Sequence, residues 1–247
     1  MATATPHGVP LAERAPRPKL HPAKVRQAAK RRWFEFRLER LPLHPVSRIT
    51  VGRGYGAWTL PGGLIEPTWV CYSVGAGGDT TFDLQLIERF GIPVRAVEPV
   101  AGYVAKAIEE ADGNPKFSIH QAAIAAKDGP LRMQLTHDPG SESVSSAGLY
   151  ESSIYVELPG RALPSLMSET GDSRVDLLKL DVEGGEYTVV PTLDLRAMGV
   201  KIFAIQLHHT GSVTDALALI QGVKDQGYEL VTRRAPVKLV FARRDLI

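Results

Sequence analysis

At 247 residues, with 44% hydrophobic and 23% charged side chains and a net charge of +2, the chain has the composition of a globular protein holding one large or two small domains. No apolar run approaches the roughly 20 residues needed to span a bilayer, and the Pro/Ala-rich N-terminus lacks the apolar block of a secretory signal. The lone cysteine, Cys71, excludes an internal disulfide and fits a reducing cytosol, so a cytoplasmic location is expected.

The charge is unevenly spread: residues 11–40 carry ten Lys/Arg against three Glu. Residues 1–22 hold five prolines and few large apolar groups, the pattern of a mobile arm. From 22 to 41, Val25, Ala28, Ala29, Trp33, Phe36, Leu38 and Leu41 fall loosely at helical spacing, with Lys and Arg between them. This predicts a basic amphipathic helix that docks on the domain or on a second copy of the chain, giving a homodimer. An anionic partner is the alternative. The expected division is an arm and helix over 1–45 and one α/β domain over 46–247.

Residues 46–68 place Gly52, Gly54, Gly56, Gly62 and Gly63 between short β-prone pieces, which predicts a small hairpin. Regular alternation then begins. A strand over 69–74 precedes a helix over 79–90, capped by Asp79 or Thr80, with Phe82, Leu86, Ile87 and Phe90 facing inward and Asp83, Glu88 and Arg89 outward. A strand over 94–98, a helix over 102–111 and a strand over 116–121 follow. Residues 122–160 loosen into β-prone pieces, 131–135 and 154–158, around a polar Ser-rich loop. His137 and Asp138 in that loop are candidate substrate contacts. A short helix over 162–169 leads to a strand over 175–181, then helical residues after Gly185 interrupted by Pro191. A strand over 201–207, a helix over 213–226 and strands over 228–233 and 237–242 close the chain. Only Arg234, Ala235 and Pro236 separate the last two, so they form an antiparallel pair. The whole predicts a doubly wound Rossmann-like sheet with one antiparallel edge strand.

The chemistry begins where the first regular strand breaks at Gly75-Ala76-Gly77-Gly78-Asp79. About twenty residues past Gly78, Glu98 ends the next strand, the arrangement by which an α/β fold holds a ribose. Thr80 stands where a dinucleotide fingerprint needs its third glycine, no second mononucleotide half follows, and the turn has no Lys-Ser/Thr for a triphosphate. A cofactor with one ribose and no pyrophosphate fits better, and S-adenosylmethionine is the common one. The small Ala122 beside Gln121, after the third strand, leaves room for its adenine.

Here the chain resembles the FkbM-type S-adenosylmethionine-dependent methyltransferases. Asp176-Leu-Leu-Lys-Leu-Asp181-Val-Glu183-Gly-Gly-Glu-Tyr187 is similar to that family's signature at the end of its fourth core strand. Tyr72-Ser-Val-Gly-Ala-Gly77 and Ala96-Val-Glu98-Pro99 are similar to its cofactor turn and ribose acid. The likeness spans about 69–242, and it implies a class I methyltransferase fold. It also implies cofactor contacts from Ser73, Gly75, Ala76, Gly77, Asp79, Glu98, Gln121, Ala122 and Asp181. One departure stands out: the family's motif usually has Asp where this chain has Ser73. A hydroxyl holds the methionine ammonium more weakly, which shifts that role to Asp79 or Asp181.

Asp181 and Glu183 end one core strand, and His208 and His209 end the next. In an open α/β sheet those tips border the ligand crevice. Two acids and two imidazoles there supply a general base or hold a divalent cation such as Mg2+, with Asp181, Glu183 and His209 as the ligand set. His209 is the first choice of base, with His208 and Glu183 beside it. The expected reaction is O-methylation of a hydroxyl on a small molecule, sugar or saccharide. A nucleic-acid methyltransferase anchored by the basic helix is the rival, although the Asn/Asp-Pro-Pro-aromatic pattern used on base nitrogens is missing. A non-catalytic cofactor-binding subunit is the third reading.

Overall fold

A computed structural model describes residues 22–136, 143–149, 152–234 and 237–247. The expected arm, His137 and Asp138 lie outside the described residues. Helix α1 (Pro22–Glu39) leads to a two-stranded antiparallel hairpin, β1 (Ile49–Val51) with β2 (Trp58–Leu60). The α/β alternation follows as β3 (Cys71–Val74), α2 (Thr81–Phe90), β4 (Val94–Val97), α3 (Ala101–Ala111) and β5 (Phe117–His120).

A four-stranded excursion comes next, with β6 (Ala123–Ile124), β7 (Gly129–Leu135), β8 (Val144–Ser145) and β9 (Tyr155–Arg161) in the order β6-β9-β7-β8. After α4 (Leu163–Thr170), the main sheet resumes with β10 (Leu177–Leu180), α5 (Glu186–Val189), β11 (Ile202–Gln206), α6 (Val213–Asp225), β12 (Tyr228–Arg234) and β13 (Lys238–Arg243).

The main sheet has the order β12-β13-β11-β10-β3-β4-β5. Neighbours from β11 to β5 are parallel, and β13 is antiparallel to both β11 and β12. The reversed strand therefore lies one place in from the edge rather than at it. The short connection after β12 folds the last strand inward, where it gains hydrogen bonds on both sides. This placement brings Lys238, paired with Gln206, to the same sheet edge as the carboxyl ends of β3, β4, β10 and β11. The winding reverses between β3 and β10, and the crevice at such a switch point is where ligands bind.

Alternation along the strands divides the core in two. Tyr72, Val74, Leu178, Leu180, Phe203 and Ile205 face α4 and α6, together with Phe34 and Leu38 of α1. Cys71, Leu177, Ile202 and Ala204 face the hairpin residues Trp58 and Leu60 and the α2 residues Phe82, Leu86 and Ile87. Cys71 is fully buried packing, as its strand position implies. Truncating a buried leucine such as Leu86 or Leu178 to alanine costs about 2–5 kcal/mol.

Two expectations shift. The seam that docks α1 is Phe34 and Leu38, while Trp33 and Phe36 are 52% and 39% exposed. The loose spacing places both on the buried face, but the residues that pack on the core are Phe34 and Leu38, with Leu41 against the same cluster. Asp83, expected on the solvent face of α2, is 1% exposed. It sits in the first helical turn, above the residues of β3 and β10 that point toward α2. Among the described residues, no helix is long and apolar enough to cross a membrane.

Candidate active site

The glycine turn is held from three directions. Gly75 N donates to Val97 O at 2.8 Å, and Lys179 Nζ donates to Gly75 O at 2.6 Å. Gly75 adopts φ +75°, and a Cβ there would overlap the Asp181 carbonyl oxygen, so only glycine lets the turn pass β10 this closely. Gly77, at φ +62°, faces open space. Glu98 then locks the turn to the tip of β4: Oε2 accepts from Gly77 N at 2.8 Å and Oε1 from Val100 N at 2.9 Å. Each oxygen keeps a further lone pair, so the carboxylate can still accept hydroxyls. Burial pushes its pKa up, while the Val100 and Gly77 amides oppose that rise.

The turn forms one wall of a cavity of about 280 Å³. Gly75, Ala76, Gly77, Glu98 and Ala122 line one half, with Ile124 and Val144 also in the wall. Tyr55, Trp58, Asp181, Glu183 and Lys238 line the other, and Asp79 lines the cavity too. Two expected contacts fall elsewhere. Gln121 is exposed and off the cavity wall, because the bend after β5, where Ala122 N donates to Glu98 O and His120 O, turns the alanine inward. Ser73 is fully buried beneath the wall, with Asp83 reaching the cavity in its place. Asp79 Oδ1 accepts from Thr81 N at 2.9 Å, as expected of a residue at a helix start.

At the tips of β10 and β11 one histidine meets three acids. His208 Nδ1 lies 2.7 Å from Glu186 Oε1, and Nε2 lies 3.3 Å from Glu183 Oε2 and 3.8 Å from Asp181 Oδ1. Burial alone would lower its pKa, but Glu186, Glu183 and Asp181 raise it to about 9. The Gln206 amide nitrogen, 3.1 Å from Nε2, would need a lone pair there, whereas the carboxylates need a proton. Three acids decide for the proton. His208 is thus an imidazolium at neutral pH, standing behind Asp181 and Glu183 rather than on the cavity wall.

His209, the expected base, points the other way. Its Nε2 lies 3.5 Å from Glu35 and its ring packs edge-on against Phe34, centroids 4.6 Å apart, so it anchors α1. Consecutive residues leaving a strand face opposite sides, and only the first of the pair can reach the acids. The cation set changes accordingly: Asp181, Glu183 and His208, not His209, bring ligand atoms within 4.8 Å of one another. When no cation lies between them, these side chains form an ion-paired cluster around His208.

The acceptor half includes residues the sequence did not flag. Lys238 Nζ donates to the Tyr55 carbonyl and lies 4.4 Å and 4.9 Å from the Tyr55 and Trp58 ring centres. Burial lowers its pKa to about 8, against the pull of Asp181. Gln206 Nε2 donates to Tyr55 Oη at 2.7 Å, tying the loop between β1 and β2 to β11. The one available signal was Lys238 itself, a charge opening a terminal strand that is apolar from Leu239 to Ala242. Asp181 is half-buried with its pKa raised, an effect of desolvation that Lys179, His208 and Lys238 partly offset.

A seven-stranded sheet with its penultimate strand reversed, a glycine turn after the first core strand and a buried acid ending the second define a class I methyltransferase. The methyltransferase FkbM domain matches residues 78–230, and the chain belongs to that family. Among solved structures it is similar to the fibrillarin pre-rRNA processing protein of Methanococcus jannaschii, at 12% identity over 73% of this chain and 68% of that one, with a TM-score of 0.44. It is also similar to the human methyltransferase 10 domain containing protein, at 11% identity over 72% of each chain and a TM-score of 0.42. A third is the precorrin-6y C5,15-methyltransferase of Geobacter metallireducens GS-15, at 10% identity over 73% of this chain and 83% of that one, with a TM-score of 0.41. No curated protein sequence matches the chain. The family implies S-adenosylmethionine, and the residues fit it: a backbone turn open at Gly77, a buried carboxylate with free lone pairs and small side chains beside them.

Proposed function

We propose that this methyltransferase acts on oxygen, at a hydroxyl of a sugar, saccharide or related natural product, with Asp181 as proton acceptor. The supporting observation is Asp181 itself, which lines the cavity with the Gly75 turn packed on its backbone carbonyl and Lys238 acting on its carboxylate. Its buried Oδ1 makes no hydrogen bond among the described residues. A carboxyl with a raised pKa is a stronger base than an ordinary one, and an alcohol needs its proton removed as the new bond forms.

S-adenosylmethionine, when bound, supplies a methyl already labile on a sulfonium, so the protein's chief task is alignment, worth roughly 7–11 kcal/mol. Glu98 and the Gly75–Gly77 backbone hold the ribose side, while Ala122 and Ala123 leave space for the flat base. In the acceptor half, the ring faces of Tyr55 and Trp58 beside the Lys238 ammonium suit a molecule with apolar faces and hydroxyl edges. Asp181 takes the hydroxyl proton. The His208 imidazolium keeps Asp181, Glu183 and Glu186 from repelling one another and fixes their orientation.

The test is incubation with methyl-labelled cofactor and a panel of saccharides and small alcohols, with mass spectrometry of the products. A labelled methyl ether is the expected product. A label found only on nitrogen or carbon acceptors would remove the O-methyl reading.

One observation favours a second reading. Trp33 and Phe36 stack 5.6 Å apart on the exposed face of α1, with Arg37 and Arg40 over their rings. Such a face suits stacked bases and phosphates. RNA binding whose affinity falls on the order of 10³-fold between 50 and 200 mM salt would support a nucleic-acid acceptor instead.

A further inference from the structure

We infer that Asp83, on helix α2, is the carboxylate that receives the cofactor's methionine ammonium, standing in for the acid that this chain lacks at Ser73. The inference rests on the cofactor assignment above and names a contact within it. Ser73 and Lys179 are partners in register on β3 and β10 and share the face covered by α2. Asp83 descends onto that face from the first turn of the helix. It is 1% exposed yet lines the cavity, whereas Ser73 does not.

A bland role for Asp83 would be helix capping. An acid at the third helical position can reach back to the N-cap amide, but no capping bond joins Asp83 to the N-cap, Thr80. Instead Asp83 Oδ1 and Ser73 Oγ both lack a hydrogen-bond partner among the described residues. The hydroxyl still lies near enough to favour the charged carboxyl, as does Lys179, against burial that lifts the pKa to about 6. Asp83 is therefore mostly ionised at neutral pH.

A buried carboxylate oxygen with no partner is costly, and a cation removes the cost. Lys179 cannot supply it alone. That ammonium is bonded to Gly75 O and is shared electrostatically by Asp83, Asp181 and Glu98. Lys238 and His208 also act on Asp181, whereas Lys179 is the cation that acts on Asp83, so the deficit of positive charge falls at Asp83 beside the glycine turn. A ligand ammonium meets the deficit. The rearrangement is a relocation: the acid leaves the strand, a hydroxyl fills the vacated position, and the carboxyl returns from the helix packed above it.

The test is calorimetry on the whole chain with S-adenosylhomocysteine and with 5′-methylthioadenosine, which lacks the amino-acid moiety. Asp83→Asn should weaken S-adenosylhomocysteine by about 10–100-fold, the loss expected for a hydrogen bond to a charged group, and leave 5′-methylthioadenosine within twofold. Returning the acid to the strand in the double variant Ser73→Asp/Asp83→Asn should restore most of the loss. Glu98→Ala, by contrast, should weaken both ligands.

A wild-type protein that binds S-adenosylhomocysteine no better than its deaminated analogue overturns the inference without any variant. So does an Asp83→Asn protein that binds S-adenosylhomocysteine as the wild type does. Absence of binding of every adenosyl compound to the wild type would sink the cofactor assignment itself, a different and recognisable failure.

Discussion

Beside β3 and β4 the cavity wall is mostly backbone, held by Gly75 N to Val97 O, Gly77 N to Glu98 and Lys179 to Gly75 O. Beside β11 and β13 it is mostly side chains, with Tyr55, Trp58, Asp181 and Lys238 meeting across elements far apart in sequence. The first half is rigid because its contacts are part of the sheet edge. The second depends on long side chains and on a loop pinned by Gln206 and Lys238. A cofactor common to a family calls for the first kind of wall, and an acceptor particular to one enzyme for the second. Substitutions in the two halves should therefore fail differently.

The largest effect is expected at Asp181. Asp181→Asn keeps shape and removes the base, so kcat should fall about 10²–10⁴-fold while S-adenosylhomocysteine affinity stays within a few-fold. Equal loss of both would put Asp181 in the cofactor half and blur the division. Next comes Glu98→Ala, which leaves Gly77 N and Val100 N without their acceptor and removes the ribose contact. Cofactor affinity should drop roughly 10–100-fold, with kcat at saturating cofactor much less affected. A drop in kcat alone would reverse the assignment of the halves.

The acid cluster adds a pH signature. The folded pKa of His208, about 9, lies above the unfolded value near 6.5. Its stabilising contribution is complete below about pH 6.5 and is lost as pH rises through 9. Between pH 6.5 and 8 that amounts to about 2 kcal/mol. Lys238, with its folded pKa lowered to about 8, acts in the opposite sense only above that pH. Thermal unfolding should therefore show Tm falling between pH 6.5 and 8, and His208→Gln should flatten the slope. An unchanged slope would mean that His208 is neutral in the fold. Its lone pair would then be free for a metal, and loss of turnover with a chelator, restored by Mg2+, would be the companion result.

The two halves also differ in how far they could be read from the chain. Gly75, Gly77 and Glu98 are set by local rules: a strand, a turn that only glycine permits, an acid at the next strand's tip. The acceptor half is assembled by pairings between residues 151 and 183 positions apart, Tyr55 with Gln206 and with Lys238. No local pattern encodes such a meeting. Lys238 in particular reaches the site only because β13 runs backwards one place in from the sheet edge. Asp83 was misread for a related reason. Helical spacing placed it beside Glu88 and Arg89, but the first turn of α2 dips toward the sheet, where even a carboxylate is buried.

His209 gives the smallest expected effect and the sharpest check on which histidine matters. Two adjacent imidazoles leave β11 in opposite directions: one joins the acid cluster behind the cavity, the other packs on α1. His209→Ala removes an edge-on ring contact with Phe34 and a partly exposed pairing with Glu35. The cost should be about 1 kcal/mol of stability, with kcat and KM within twofold of the wild type. Because Phe34 and Leu38 keep α1 seated without it, the variant should lower Tm by a few degrees without detaching the helix. A fall in kcat comparable to that of Asp181→Asn, at unchanged stability, would return His209 to the chemistry and require α1 to move before the enzyme turns over.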